Sequence, residues 1–291
     1  MKNLQAIKES INSTKKLQSI VETMKTYASS NINQFQNAAG ASMEYRRVLD
    51  MSLYVVLFGE EDTLPPEEAA DRGTLNIIFG SDHGLAGGFN ERISFFASEK
   101  IPKSRNHKVI TVGQQIFQRL RDDFDIYKSF MQPQTIDAIS STVNKLLAEI
   151  DELRDKIPIK KIILYYNRPQ DDFIFKEHTE QLFPIDLLKI VKNNIKWESK
   201  SIPTYFVEKE KIISDLIRQY FFITLYRAFC FSLASENASR LISMQSAEKN
   251  IEERLEELNH EYRRERQNSI TEELNDIVSG FKAIGGKRHE V

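Results

Sequence analysis

The stretch with the clearest chemical promise is Gly80-Ser-Asp-His-Gly-Leu-Ala-Gly-Gly88, which follows the apolar run Leu75 to Phe79. A glycine-rich turn after a strand can cradle a phosphate, because backbone N–H groups converge where no side chain intervenes. This one lacks the Gly-Lys-Ser/Thr ending of a P-loop and the full G-x-G-x-x-G spacing. Gly84, Gly87 and Gly88 are read instead as permitting a tight strand-to-helix crossing. Asp82 beside His83 has the residue types of an acid–base pair. With no nucleophile or third partner in the pattern, ordinary turn chemistry is the better reading. The other histidines, His107, His178, His260 and His289, are scattered without metal-ligand spacing. The single cysteine, Cys230, lies in an apolar run between Phe229 and Phe231 and reads as a small core hydrophobe. No disulfide within the chain and no four-cysteine zinc site is possible. Catalytic, cofactor-binding and metal-binding residues are therefore not expected.

The bulk properties narrow the field further. The 291 residues are 41% hydrophobic and 28% charged, with a formal net charge of -2. That is chain enough for one large domain or two small ones. A balance so close to neutral argues against a sequence-independent nucleic-acid binder. No uninterrupted apolar run reaches the roughly 20 residues of a membrane span. The nearest, Tyr220 to Ala234, is broken by Arg227 and is polar at Thr224 and Ser232. A helical pattern begins at once, so no signal or transit peptide is expected. Any membrane relation is expected to be peripheral, and one cysteine fits a reducing, cytoplasmic compartment.

The elements that must position these residues fall into three parts: 1–59, 74–204 and 208–285. In the first, Leu4, Ile7, Ile11, Thr14, Gln18, Val21, Met24 and Ala28 step by threes and fours, a heptad seam with two polar members. Neither glycine nor proline occurs before Gly40, and the helix is expected to resume through Met43, Val48 and Leu53. Glu60 to Gly73, with Pro65 and Pro66, reads as the loop that ends it. The second part alternates strand and helix signals. Leu75 to Phe79, Val109 to Val112 and Ile162 to Tyr166 are expected strands. Helices are expected through Ile93 and Phe96, near Gln115 to Arg121, and over Ile136 to Leu153. That order predicts a small, partly parallel α/β domain of Rossmann-like type.

The third part has no proline, and no glycine before Gly280. As one helix it would extend on the order of 110 Å. Ile251, Leu255, Leu258 and Tyr262 step by fours and threes. Ile270, Leu274, Ile277, Phe281 and Ile284 resume after a gap of eight, which reads as a stutter. Globular helices average about a dozen residues, so two long heptad helices at the chain ends imply an antiparallel coiled coil with the α/β domain inserted between them. Glu253, Glu257, Glu261 and Glu265 recur every four residues. Two readings of that row stand side by side. An opposing helix carrying Lys8, Lys15, Lys16 and Lys25 would relieve its repulsion, or the row is simply a solvated face. The aromatic run from Tyr220 to Phe231 covers several helix faces and is expected to pack against the inserted domain.

Four segments carry a specific resemblance. Ile11 to Ser30, INSTKKLQSIVETMKTYASS, resembles the N-terminal helix of F-type ATP synthase gamma subunits, aligning on Ile11, Ser13, Lys15, Gln18, Ile20, Met24, Lys25, Ala28 and Ser30. SDHGLAGGFN (81–90) is similar to the family's S-D-R-G-L-C-G-G-L-N. SENASRL (235–241) is similar to S-E-x-A-A-R-M, and RQNSITEELNDIVSG (266–280) to R-Q-A-x-I-T-Q-E-I-x-E-I-V-x-G. The four occur in order across nearly the whole chain. Departures from the pattern are Leu17, Asn31, His83, Ala86 and Phe89, a sequence pI of about 6.3, and the tail Gly-Gly-Lys-Arg-His-Glu-Val. They suggest a divergent bacterial member. The cysteine-bearing insertion of chloroplast members is absent.

The resemblance implies a non-catalytic central rotary shaft. Its coiled coil would sit in an alpha3beta3 hexamer that holds the nucleotide sites, and its base on the epsilon subunit and the c-subunit ring. Proton or sodium flow through that ring would turn it. The expected place is the cytoplasmic face of the cell membrane, reached only indirectly through the c ring. Arg266, Gln267 and Thr271 match family positions that hydrogen-bond beta. Met24, Lys25, Ile277 and Phe281 are the implied seam and sleeve contacts. Rival readings are a coiled-coil scaffold unrelated to ATP synthesis and a small α/β enzyme with helical arms.

Overall fold

The computed structural model describes residues 4–57, 73–104, 106–170, 174–186, 190, 201 and 203–285. Helix α1 (Leu4–Leu57) opens the chain. There follow β1 (Thr74–Phe79), α2 (Phe89–Lys100), β2 (His107–Val112), α3 (Gln114–Leu120), β3 (Ile126–Phe130), α4 (Ile136–Lys156), β4 (Lys161–Pro169), β5 (Phe175–Phe183) and α5 (Lys209–Gly285). Glu60 to Asp71, with Pro65 and Pro66, the segment around Lys192 to Lys200, and the tail beyond Gly285 lie outside the described residues.

The chain resolves into two compact units. One combines residues 1–27 with 243–291; the other is 28–242. The larger unit holds a five-stranded sheet of order β3-β2-β1-β4-β5. β1 pairs in parallel with β2 and β4, β2 in parallel with β3, and β5 runs antiparallel to β4. The three expected strands are the inner three. Both edges, β3 and β5, escaped the sequence reading. Edge strands are half solvated, so their sequences, IYKSF and FKEHTEQLF, carry little apolar signal.

Strand alternation sorts the core into two layers. Leu75, Ile77, Phe79, Ile110, Val112, Ile162, Leu164 and Tyr166 face α4 and the aromatic stretch of α5, including Leu225, Phe229, Cys230 and Leu233. Phe35 and Ala39 of α1 join the same layer. Ile78, Val109 and Tyr165 face the other way onto α2 and α3, through Ile93, Ala97, Ile116 and Leu120. The ring of Phe229 meets Phe79 edge-on at 4.9 Å, so the aromatic run does pack onto the inserted sheet. Cys230 is fully buried there, and burial pushes its thiol up to about 12.

In this unit α1 buries Leu53 as expected, but its seam passes beside Met43 and Val48. Ala28, Ile32, Phe35, Ala39, Ser42, Leu49, Leu53 and Val56 are buried, whereas Met43 and Val48 are exposed. Small Ala39 and hydroxylated Ser42 hold seam positions and hid the stripe. Ser42 is accommodated because its Oγ donates to the carbonyl of Ala39 at 2.6 Å.

Candidate functional site

In the smaller unit the two terminal helices pair side by side and antiparallel. Ile7 and Ile11 pack on Leu255, Leu258 and Tyr262. All eight expected seam residues from Leu4 to Ala28 are buried or half-buried, whereas Leu17 and Ile20 are more than half exposed. Lys25 holds the position that keeps the four-three alternation between Val21 and Ala28, with Met24 half-buried beside it. Its Nζ reaches across to both carboxylate oxygens of Glu248, at 2.7 and 2.6 Å.

On α5 the inward-facing positions are Met244, Glu248, Ile251, Leu255, Leu258, Tyr262, Glu265 and Ser269, stepping by threes and fours throughout. The expected stutter is therefore not a slip in the packed seam. The apolar residues change face instead. Eight residues from Tyr262 to Ile270, where seven would keep register, rotate the stripe by about 100°. Ile270, Leu274, Ile277, Val278 and Phe281 are all exposed, Phe281 at 76%. Every described side chain from Ile270 to Lys282 is solvated. A contiguous apolar stripe on a helix with no packing partner is a surface made to meet another molecule.

Arg266, Gln267 and Thr271 sit just before and beside that stripe and are likewise exposed. Thr271 Oγ1 donates to the backbone carbonyl of Gln267 at 2.9 Å within the helix. Of the acidic row, Glu253 and Glu257 are exposed and pair along their own helix with Lys249 and Arg254. Lys25 and Glu248 pair between the helices.

The glycine-rich turn is a structural junction. Asn90 Oδ1 accepts from the Ser81 amide at 2.9 Å, and Asn90 Nδ2 donates to Ser81 Oγ at 2.7 Å. Asp82 accepts from the amides of Gln114 and Gln132, at 3.0 and 2.9 Å, so each carboxylate oxygen clamps a different loop. It is no acid–base partner for the exposed His83. Of the three expected glycines, Gly87 alone has a backbone that favours glycine, and the close approaches fall elsewhere. Gly84 has open space around it, and Gly88 nearly so. A Cβ on Gly80 would come within 2.5 Å of Ile116, and one on Gly113 within 2.8 Å of the Gly80 and Ser81 backbone. Gly113 has φ +109 and Gly87 φ 52, conformations that favour glycine.

Two of the resembling motifs meet at this junction. Ser239 Oγ donates to the Ala86 carbonyl at 2.7 Å, and Ser235 Oγ to Asn167 at 3.0 Å. Glu236 and Arg240, both buried, pair one helical turn apart. Burial pushes the Glu236 carboxyl up, against the pull of Arg240. Ala86, Phe89 and Phe175 form one small cluster, with the Phe89 and Phe175 rings 5.7 Å apart. The departures at 86 and 89 are thus neighbours, and a smaller side chain at one is offset by a larger one at the other.

Among the described residues no group of three or more His, Cys, Asp or Glu is placed to hold a metal ion, and no helix is long and apolar enough to cross a membrane. A family model described as ATP synthase matches residues 3–284. The ATP synthase gamma chain of Azobacteroides pseudotrichonymphae genomovar. CFP2 is 31% identical over 300 residues, covering 98% of this chain and 100% of the relative. That of Geotalea uraniireducens (strain Rf4) is 29% identical with the same coverage. Among solved structures, a chain of the Euglena gracilis mitochondrial ATP synthase, OSCP/F1/c-ring, rotational state 3, aligns with TM-score 0.64 at 17% identity, over 99% of this chain and 97% of that one. A chain of the Tetrahymena thermophila mitochondrial ATP synthase central stalk/c-ring aligns with TM-score 0.59 at 18% identity, over 78% and 99%. These structures share the fold of paired terminal helices around a small sheet. With the family model running through both terminal helices and the sheet between them, this chain belongs to the ATP synthase gamma-chain family.

Proposed function

We propose that this chain is the central rotary shaft of an F-type ATP synthase, coupling ion flow through a c-subunit ring to ATP synthesis or hydrolysis in an alpha3beta3 hexamer. It is a non-catalytic subunit: it carries torque and transforms no molecule itself. Its partners are the alpha and beta subunits around the end of α5, and the epsilon subunit and c ring at the base. It lies on the cytoplasmic face of the cell membrane, held there through the c ring.

The observation that carries this reading is the free end of α5. An apolar stripe of Ile270, Leu274, Ile277 and Phe281 with no packing partner among the described residues suits a bearing that turns inside an apolar sleeve. Fixed ion pairs at such a surface would resist rotation. Arg266, Gln267 and Thr271 supply a polar catch to beta that can form and break, each neutral bond contributing about 1 kcal/mol. The shaft then acts by favouring a different state of each beta subunit in each orientation, through differences in contact free energy. The test is the assembled complex with Arg266, Gln267 and Thr271 all replaced by alanine. Reduced torque and ATP turnover are expected; unchanged values of both would refute the catch.

A further inference from the structure

We propose that the larger unit carries a binding site for a phosphate group, in a cavity of about 170 Å³ lined by Met43, Tyr166, Arg168, His178, Glu180, Arg227 and Phe231. Four elements build it, α1 contributing Met43. β4 supplies Tyr166 and Arg168, β5 supplies His178 and Glu180, and α5 supplies Arg227 and Phe231. It belongs to the larger unit and plays no part in the shaft reading.

The charge count at this cavity does not close. Glu180 is fully engaged: one oxygen accepts from Tyr166 Oη at 2.8 Å and the other pairs with Arg227. That pair is mutually neutralising, so the Arg168 guanidinium is surplus. Arg168 has no hydrogen-bond or ion-pair partner among the described residues. Its guanidinium lies over the Phe231 ring at 5.2 Å, a stacking that holds the planar donor fork in place. Phe231 in turn stacks on Tyr166 with 12° between ring planes, so the wall behind the fork is fixed. Arg227 keeps a second unmet donor: its Nε is buried without an acceptor.

His178 reports the same field. Its ring meets Tyr166 edge-on at 5.3 Å, and its nitrogens meet no partner among the described residues. Burial lowers its pKa first, and Arg168, Arg227 and Lys100 push it the same way against Glu180 alone. Arg46 of α1, whose charge is felt by Arg227 and Glu180, is matched by Asp50 at 3.1 Å and adds no net charge. An excess of donors around a small cleft with aromatic walls is the environment that an oxyanion stabilises. Arginine forks match two phosphate oxygens at once, and the neutral imidazole offers one further N–H. The cavity admits one such group and leaves little space for a larger ligand.

The test is isothermal titration calorimetry of the full-length chain with inorganic phosphate, with ADP and acetate as parallel arms. Saturable binding of phosphate, or of ADP through its terminal phosphate, is expected, and the two arms separate a free-anion site from a nucleotide site. Arg168→Gln should weaken it about tenfold or more, and His178→Gln severalfold. Arg168 is exposed, so the variant should melt like the parent, and Lys103→Gln should change nothing. Absence of saturable binding in both phosphate-bearing arms overturns the proposal. So does an unchanged affinity in a normally folded Arg168→Gln chain, or tighter binding of acetate than of phosphate.

Discussion

At the residue scale, two positions test how the packing is specified. Lys25 and Glu248 place a charge pair inside a largely apolar seam, at side-chain exposures of 33% and 22%. Partly buried pairs contribute less to stability than to register, since desolvation offsets most of the attraction. Glu248→Gln should therefore lower the stability of the full-length chain by about 1–2 kcal/mol in denaturant titration, because it strands the Lys25 ammonium. The double variant with leucine at both positions should recover or exceed wild-type stability. The second position is Gly113. Its positive φ and the 2.8 Å approach to the Gly80–Ser81 backbone predict that Gly113→Ala costs about 2–4 kcal/mol. Gly84→Ala, in open space, should stay within about 0.5 kcal/mol by the same measurement.

At the element scale, the end of α5 separates stability from function. Replacing Ile277 and Phe281 with aspartate should leave the unfolding of the isolated chain within about 0.5 kcal/mol, since both side chains are already solvated. ATP turnover of the assembled complex should fall about fivefold or more, the factor that a loss of one to two kcal/mol of bearing contact produces. Equal effects on both measurements would place the stripe in the fold instead. The terminal helices were legible because a heptad repeat unbroken by proline has no other stable use, and the inner strands because both their faces are apolar. The edges β3 and β5 were not, since a strand solvated on one side looks like a loop. The seam beyond Ala28 was misread toward Met43 and Val48 because Ala39 and Ser42, which fill the close contact, look like surface residues. The junction glycines were legible only at Gly87, for a related reason. The turn around Gly84 draws the eye, whereas Gly113 owes its role to a loop 30 residues away that only the fold brings near.

At the scale of the whole molecule, the family assignment and the geometry converge on mechanical work. Contacts that could serve chemistry are spent on structure: Asp82 clamps two loops, Ser235 and Ser239 tie α5 to the turn, and Cys230 is sealed in the core. The far end of one helix carries an exposed apolar stripe, which matches a shaft driven by its surroundings. Rotation is the property that distinguishes a shaft from a scaffold with the same fold. A probe can be attached through Phe95→Cys, since Phe95 is exposed on α2 and the buried native thiol is inert to labelling. Single-molecule imaging of the surface-fixed complex should then show the probe turning in one direction during ATP hydrolysis, in three equal steps set by the threefold hexamer. ATP hydrolysed at the full rate with the probe stationary would contradict it.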